Sequence, residues 1–462
     1  MKNTPVFLVS LGLTVAGPLL ATSAIEIRYD NVLRHAEARS ESLAEDILQN
    51  NEERFVNYTT TSGVWNRQSD GTWTSGFLPG IFWHLHEMTG REAWRTRAMH
   101  WTEGVRSRAT ATDNDTGFQV FESFGHGYEL DAGLREDYKP VLLTGAETLV
   151  EERFNETIGC FRSWDQGIAN PTDLPFEVNI DQMMNLELVL WASANGGPAE
   201  YENHAIAHAD KTWEHNVRED GTTYHVVAYH LDGTVDYKRT HQGWTTDSTW
   251  TRGQAWAVYG FTMVYRYTGL PRMLERARIL YDAFLNGLAE TDRGWVPYSD
   301  FDAPLDNRNP RDSSAAAIVA SAALELYQHT GELRYLADAE AFLEELSSPA
   351  YLTTGSSYQS ILRKASEKWG EEEVGAIFAD FYLLEAMQRH ARMSRPGPVV
   401  TGSWKGFTVY DAGFADSAGW MGWNKTAAAP YVYNYPLESW LYVPEVTDGP
   451  TGGWVYSFHS PR

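Results

Sequence analysis

Five times along this chain, an apolar helical segment rich in small residues runs up to a glycine and is followed by a helix with one polar face. The pairs are 78–88 with 91–106, 122–130 with 138–154, 181–194 with 201–216, 252–267 with 272–288, and 313–329 with 335–346. Glycine takes the left-handed conformation that ends a helix, so Gly90, Gly133, Gly196, Gly269 and Gly331 mark the breaks. A helix that is apolar all round has to be buried, whereas one with a polar face lies outside. The outer kind is exemplified by Arg272-Met273-Leu274-Glu275-Arg276-Ala277-Arg278-Ile279-Leu280. A sixth inner segment, 376–393, lacks a following partner before Pro396, and an N-terminal helix over about 32–49 supplies one. The pattern predicts an all-α fold: an (α/α)6 toroid of six inner and six outer helices, with its working face at the loops that enter the inner helices.

Beyond Pro396 the texture changes to short runs of alternating aromatic and small residues, such as Pro430-Tyr431-Val432-Tyr433-Asn434-Tyr435. These read as strands, so 25–396 is expected to form the catalytic domain and 397–462 a small β-rich C-terminal appendage. Residues 1–24 read as a secretory signal: Lys2 leads, Val6 to Leu20 is apolar, and Ala21-Thr22-Ser23-Ala24 is the small-residue exit. The apolar run is too short and too broken by Gly and Pro to span a bilayer, which predicts an exported, periplasmic or secreted protein without a membrane span. A single cysteine, Cys160, excludes an internal disulfide and leaves stability to the core.

A formal charge of −25 argues against nucleic acid and anionic membranes as partners. An anionic substrate would then have to be held by a few focused cations. Eighteen tryptophans favour a carbohydrate protein, because aromatic faces stack on sugar rings; a tryptophan-rich core reads equally well. In Asp247-Ser248-Thr249-Trp250-Thr251-Arg252-Gly253-Gln254-Ala255-Trp256, an arginine stands in the first turn of a long apolar helix. A cation there opposes the helix dipole, which makes sense if Arg252 and the helix end both face an anion such as a sugar carboxylate. The plainer alternative is a surface arginine after a Ser/Thr cap.

Two carboxylates stand where inner helices begin. Asp181, in Val178-Asn179-Ile180-Asp181-Gln182-Met183-Met184-Asn185, is either an ordinary N-cap or, among apolar neighbours, a proton donor with a raised pKa. Asp115, in Asp113-Asn114-Asp115-Thr116-Gly117-Phe118, reads as an Asx turn, as a weak calcium-loop fragment, or as the partner of Asp181. Paired carboxylates on one mouth suit a glycosidase. Trp73, Trp164, His225, Gln242, Arg252 and Trp256 fall on loops or helix starts at the same end, although a lone histidine is more often structural. Neither zinc spacing, a phosphate-binding glycine loop nor Gly-x-Ser-x-Gly is present, so no metal or cofactor is expected.

Several blocks together resemble the unsaturated glucuronyl hydrolases of glycoside hydrolase family 88. They are Ile180-Asp181-Gln182-Met183-Met184-Asn185-Leu186, Thr240-His241-Gln242-Gly243 and Ser248-Thr249-Trp250-Thr251-Arg252-Gly253-Gln254-Ala255-Trp256. Trp73-Thr74-Ser75-Gly76-Phe77, Asp115-Thr116-Gly117-Phe118, Asp312-Ser313-Ser314-Ala315-Ala316 and Asp380-Phe381-Tyr382-Leu383-Leu384-Glu385-Ala386 also match, in order, from about residue 40 to 393. The resemblance implies an enzyme that hydrates the C4=C5 double bond of a terminal unsaturated uronic acid on lyase-generated oligosaccharides. It also implies roles. Asp181 would protonate C4 and activate water for C5, and Asp115 would support the developing positive charge or tune Asp181. His225 and Gln242 would hold hydroxyls or orient the carboxylate, Arg252 would contact the uronate, and Trp73, Trp164 and Trp256 would shape the sugar site.

The chain departs from the family pattern at Asn114, where a histidine is frequent, and at Arg363-Lys364, where a histidine is expected. Two adjacent cations at the mouth would meet a sulfate or a second uronate; the alternative is a solvated pair. The remaining function classes are glycoside hydrolase family 105, with the same chemistry on rhamnogalacturonan products, a polysaccharide lyase on a similar toroid, and a non-catalytic glycan-binding protein. The Arg-Gly-Gln-Ala-Trp block argues against family 105.

Overall fold

The computed structural model describes residues 24–49, 55–164, 176–292 and 294–394, and beyond them the seven strands of a separate sheet. The described residues fall into two compact units that divide between Arg389 and His390. The expected secretory segment lies, but for its last residue, outside the described residues.

The first unit is the toroid. Its helices are α1 (Ala24–Gln49), α2 (Phe77–Thr89), α3 (Glu92–Glu103), α4 (His126–Leu130), α5 (Arg135–Arg153), α6 (Gln182–Ala194) and α7 (Glu200–His215). They continue with α8 (Thr251–Thr268), α9 (Pro271–Glu290), α10 (Ser313–Thr330), α11 (Leu333–Leu346) and α12 (Ile377–Ser394). The inner layer is recognised by burial on every side: α8 is buried without interruption from Thr251 to Val264, and α10 from Ser313 to Leu326. The outer α9 and α11 bury one face each, through residues such as Met273, Ala277, Leu280 and Phe284, or Tyr335, Ala339 and Phe342. Gly90, Gly269 and Gly331 end α2, α8 and α10 at φ of 67, 63 and 70°, each donating its N–H to the carbonyl four residues back.

The second inner helix differs from its expected span. It starts at Gly117 rather than Glu122, as a π-helical segment Gly117–Gly125 that runs into α4. The wide turn lets the chain come close to α6, where a Cβ on Gly117 would lie 2.5 Å from Cα of Asn185. In return, the Asn185 amide accepts from the Phe118 N–H at 3.0 Å and donates to Asp115 Oδ1 at 3.2 Å. Gly117→Ala is therefore expected to cost about 1–3 kcal/mol of stability and to lower activity by displacing Asp115, read by denaturant midpoint and by rate.

Below the mouth, the toroid axis is filled in two layers. Trp256 meets Phe118 and Tyr382 with ring centroids 5.4 Å away in each case, and Trp73 meets Phe118 at 5.4 Å and Phe378 at 5.1 Å. Deeper, polar groups join the inner helices to one another, the glutamates buried and Arg266 exposed near the end of α8. Arg266 bridges Glu187 and Glu325 at 2.9 Å each, and Arg389 pairs with Glu325 and Glu385. Tyr259 donates to Glu385 at 2.9 Å, Tyr382 to Glu122 at 3.4 Å, and His84 joins Gln388 at 3.1 Å. Each lone pair left in a dry core is costly, and this network answers them reciprocally.

Small sheets decorate the mouth. A hairpin joins β1 (Phe55–Thr59) to β2 (Trp65–Gln68), and β3 (Phe154–Asn155) pairs with β4 (Cys160–Phe161). An antiparallel sheet in the order β5 (Phe176–Asn179), β6 (Val226–Tyr229), β7 (Val235–Arg239) leads directly into α6. The second unit is an antiparallel meander from β8 (Val400–Trp404) through β9 (Phe407–Tyr410), β10 (Phe414–Asp416), β11 (Trp423–Lys425), β12 (Tyr431–Asn434) and β13 (Ser439–Tyr442) to β14 (Tyr456–Phe458).

Candidate active site

A cavity of about 580 Å³ opens where the inner helices begin. Its size suits a small-molecule site. Among the residues expected at the site, Asp115, Asp181, Trp73, Trp164, Gln242, Arg252 and Trp256 line it together.

Asp181 directly precedes α6 with helical backbone angles (φ −64°, ψ −25°), yet its side chain caps nothing. The cap comes from Asn179, whose Oδ1 accepts the Gln182 N–H at 3.1 Å. The ordinary N-cap reading of Asp181 is thereby replaced. Its Oδ2 accepts from Asn179 Nδ2 at 3.3 Å, and its Oδ1 has no partner among the described residues. Burial pushes its carboxyl up to about 7, partly offset by the positive charge of Arg252.

Asp115 is raised as well, to about 8, first by burial and then by the charge of Asp113, against the hydrogen bond from Asn185. The surroundings do not set the two carboxyls apart, one protonated and the other ionised. Burial disfavours charge on both, and each carboxylate opposes ionisation of the other. Asn114 is buried beside the cavity and not among its lining residues; its amide nitrogen has no partner among the described residues, and its carbonyl accepts from Gln182 Nε2 at 3.4 Å.

Arg252 departs most from expectation. The anion it faces belongs to the protein: Asp312, the N-cap of α10, lies 2.7 Å from its Nη1, and both side chains are buried. The guanidinium also donates to the carbonyls of Ser366 and Glu367. Its Nε has no partner among the described residues, and the side chain still borders the cavity. The unfavourable end of its own helix dipole is thus answered by the neighbouring helix's capping carboxylate.

His225 is 3% exposed and stacks on Trp250 with centroids 4.5 Å apart. Its Nδ1 accepts the N–H groups of His241 and Gln242 at 3.2 and 3.3 Å, which places the ring proton on Nε2. Nε2 sits 3.9 Å from Asp181 Oδ2, too far for a hydrogen bond. Burial and the nearby charges of His241, Arg239 and Arg252 hold the ring neutral. Gln242 donates to the Glu367 carbonyl at 3.0 Å.

Arg363 and Lys364 do not line the cavity. Arg363 donates to the carbonyls of Pro349 and Ala350, and Lys364 lies over the Tyr351 ring at 5.6 Å with φ of 64°. The expected grip of this pair on a sulfate or second uronate gives way to a role in holding the 349–351 turn.

Several lining residues escaped the sequence reading. Glu177 and Arg239 face each other across the small sheet in a two-pronged pair at 2.6 and 2.7 Å, joined by Tyr237 at 3.0 Å. Tyr58, Asn179, His241 and Glu367 complete the wall. Among the described residues, no cluster of His, Cys, Asp and Glu could hold a metal ion, and no helix is long and apolar enough to cross a membrane.

No family model matches the chain. Over 359 residues, 74% of its length, it is 38% identical to an unsaturated glucuronyl hydrolase of Formosa agariphila, covering 88% of that protein. The chain belongs to the unsaturated glucuronyl hydrolase family. An unsaturated glucuronyl hydrolase of Bacillus sp. strain GL1 is 31% identical over 365 residues, 76% of this chain and 93% of that one. The solved structure of an unsaturated glucuronyl hydrolase specific for heparin superimposes with a TM-score of 0.73 at 32% identity, over 79% of this chain and 98% of that one. As a member of this family, the protein is a glycoside hydrolase of the (α/α)6 toroid class. These relatives carry the name of enzymes that hydrolyse unsaturated glucuronyl groups.

Proposed function

We propose that the protein hydrates the C4=C5 bond of oligosaccharides ending in a 4,5-unsaturated uronic acid, and that Asp181 is the general acid and base of this hydration. The observation that carries the reading is a carboxyl at the mouth of an inner helix that is spared from capping it and is raised to about 7 by burial. Such a group holds its proton near neutral pH and gives it up to a carbon that becomes basic. Protonation of C4 moves positive charge onto C5 and the ring oxygen. Asp181, now a carboxylate, takes a proton from water as that water adds at C5. The hemiketal then opens and the next sugar leaves.

Asp115 supports the ring cation: near neutral pH the two carboxyls share little negative charge, and a cation between them draws ionisation onto Asp115. Gln242 and the field of Arg252, with its Nε, orient the uronate, while Trp73, Trp164 and Trp256 bound the sugar. His225 stands behind Asp181 without bonding it, its Nε2 3.9 Å from Oδ2, and its Nδ1 fixes the backbone of His241 and Gln242. The substrates are lyase products of uronate-containing polysaccharides, glycosaminoglycans among them. The lysine-led apolar run of residues 1–24 supports export to the periplasm or beyond.

Incubating the protein with lyase-generated disaccharides should abolish the absorbance of the conjugated alkene carboxylate. Since the acid works protonated, kcat/KM should hold below about pH 7 and fall tenfold per pH unit above it. A rate still climbing through pH 8 would remove Asp181 from the acid role. Gain of absorbance on polymer would instead mark a lyase.

A further inference from the structure

Asn179 is bonded on every side. Its backbone N–H donates to Ser163 Oγ at 2.9 Å, and its Oδ1 accepts both the Ser163 hydroxyl at 2.8 Å and the Gln182 N–H at 3.1 Å. Two donors on one oxygen fix the amide's orientation, which leaves Nδ2 facing Asp181 Oδ2 at 3.3 Å. The strand before it is locked too, since the Ile180 N–H donates to the His225 carbonyl at 2.9 Å. An aspartate just before a helix ordinarily turns to its free N–H groups. Here Asn179, two residues earlier, has already taken that duty.

We infer that Asn179 is a positioning residue for the reaction: it caps α6 in place of Asp181 and holds Asp181 by Oδ2, so that Oδ1 is the oxygen that delivers the proton. The two oxygens stand in different surroundings. Oδ2 has the Asn179 amide at 3.3 Å and the His225 Nε2 at 3.9 Å, whereas Oδ1 has no partner among the described residues. A carboxylic acid prefers its proton on the oxygen that receives no donated hydrogen bond. The other titratable groups acting on this carboxyl are Arg252 at the start of α8, Asp115 ahead of the π-helical segment, Tyr58 in β1 and His225 before β6. None of them occupies the cap. The inference rests on Asp181 being the acid.

Asn179→Asp separates the two duties, because it keeps a capping oxygen and replaces the donor with a second carboxylate against Oδ2. This variant should fold with a melting temperature near the parent's, and the basic limb of its kcat/KM profile should move up by about one pH unit. Asn179→Ala frees the cap for Asp181; kcat should fall about 100-fold with KM within twofold. Asp181→Asn is measured alongside. If it is inactive while Asn179→Asp keeps the parental pH limb and Asn179→Ala keeps kcat within threefold, the positioning role is overturned and the acid assignment stands. Activity surviving in Asp181→Asn would overturn the acid assignment itself.

Discussion

Replacing Asp181 by asparagine is expected to lower kcat/KM by about 10³–10⁴-fold while leaving the fold intact. The amide is nearly the same shape and still accepts the Asn179 bond, so the loss isolates the transferable proton. The same variant carries a stability signature. In the folded protein this carboxyl lies near 7, above the value near 4 of an exposed aspartate, so the native state resists its ionisation. That contribution to stability is fully present below about pH 4 and is lost as pH rises through about 7. Asp181→Asn should match the parent at pH 4 and be the more stable protein at pH 8, by on the order of 2–4 kcal/mol. Urea melts at the two pH values read the difference. A variant no more stable than the parent at pH 8 would mean that the native site tolerates the charge well, and would contradict the raised carboxyl.

Removing the charge of Arg252 is expected to be the most damaging single change to stability. In Arg252→Met, Asp312 keeps its place at the start of α10, buried and without its cation. Breaking one half of a buried pair costs about 3–5 kcal/mol, because the remaining charge stays out of water. Lysine should rescue little: one ammonium cannot reproduce bonds to Asp312, the Ser366 carbonyl and the Glu367 carbonyl together. The double variant Arg252→Met with Asp312→Asn should recover part of the loss, since it removes the stranded charge. Denaturant midpoints of the two singles and the double decide this. Equal stability of Arg252→Met and the parent would show that the pair is incidental.

The toroid was legible because its repeat is local. A glycine at Gly90, Gly269 or Gly331 is demanded by one left-handed residue, and the apolar run before it reports burial on all sides. The π-helical start at Gly117 was not legible, because its cause is Asn185, a neighbour 68 positions away. The site divides in the same way. That Asp181, Asp115 and the tryptophans share one mouth follows from where inner helices begin. What each side chain bonds does not: Arg252 meets Asp312 from 60 positions away, and Glu177 meets Arg239 from 62. The displacement of Asp181 from its cap could have been suspected, since Asn179 is itself a strong capping residue two positions earlier. Arg363 and Lys364 were placed at the mouth because they stand where the family pattern has a histidine, and their bonds to the 349–351 turn take them elsewhere.

The two filled layers on the toroid axis make the site a well with one door rather than a tunnel. Trp256, Phe118 and Tyr382 form its floor, and the buried Arg389, Glu325 and Glu385 lie beneath them. A saccharide cannot be threaded through such a body and advanced by one unit while remaining bound. Each shortened chain is expected to back out before its new end can enter, which a time course of product lengths would read as distributive trimming.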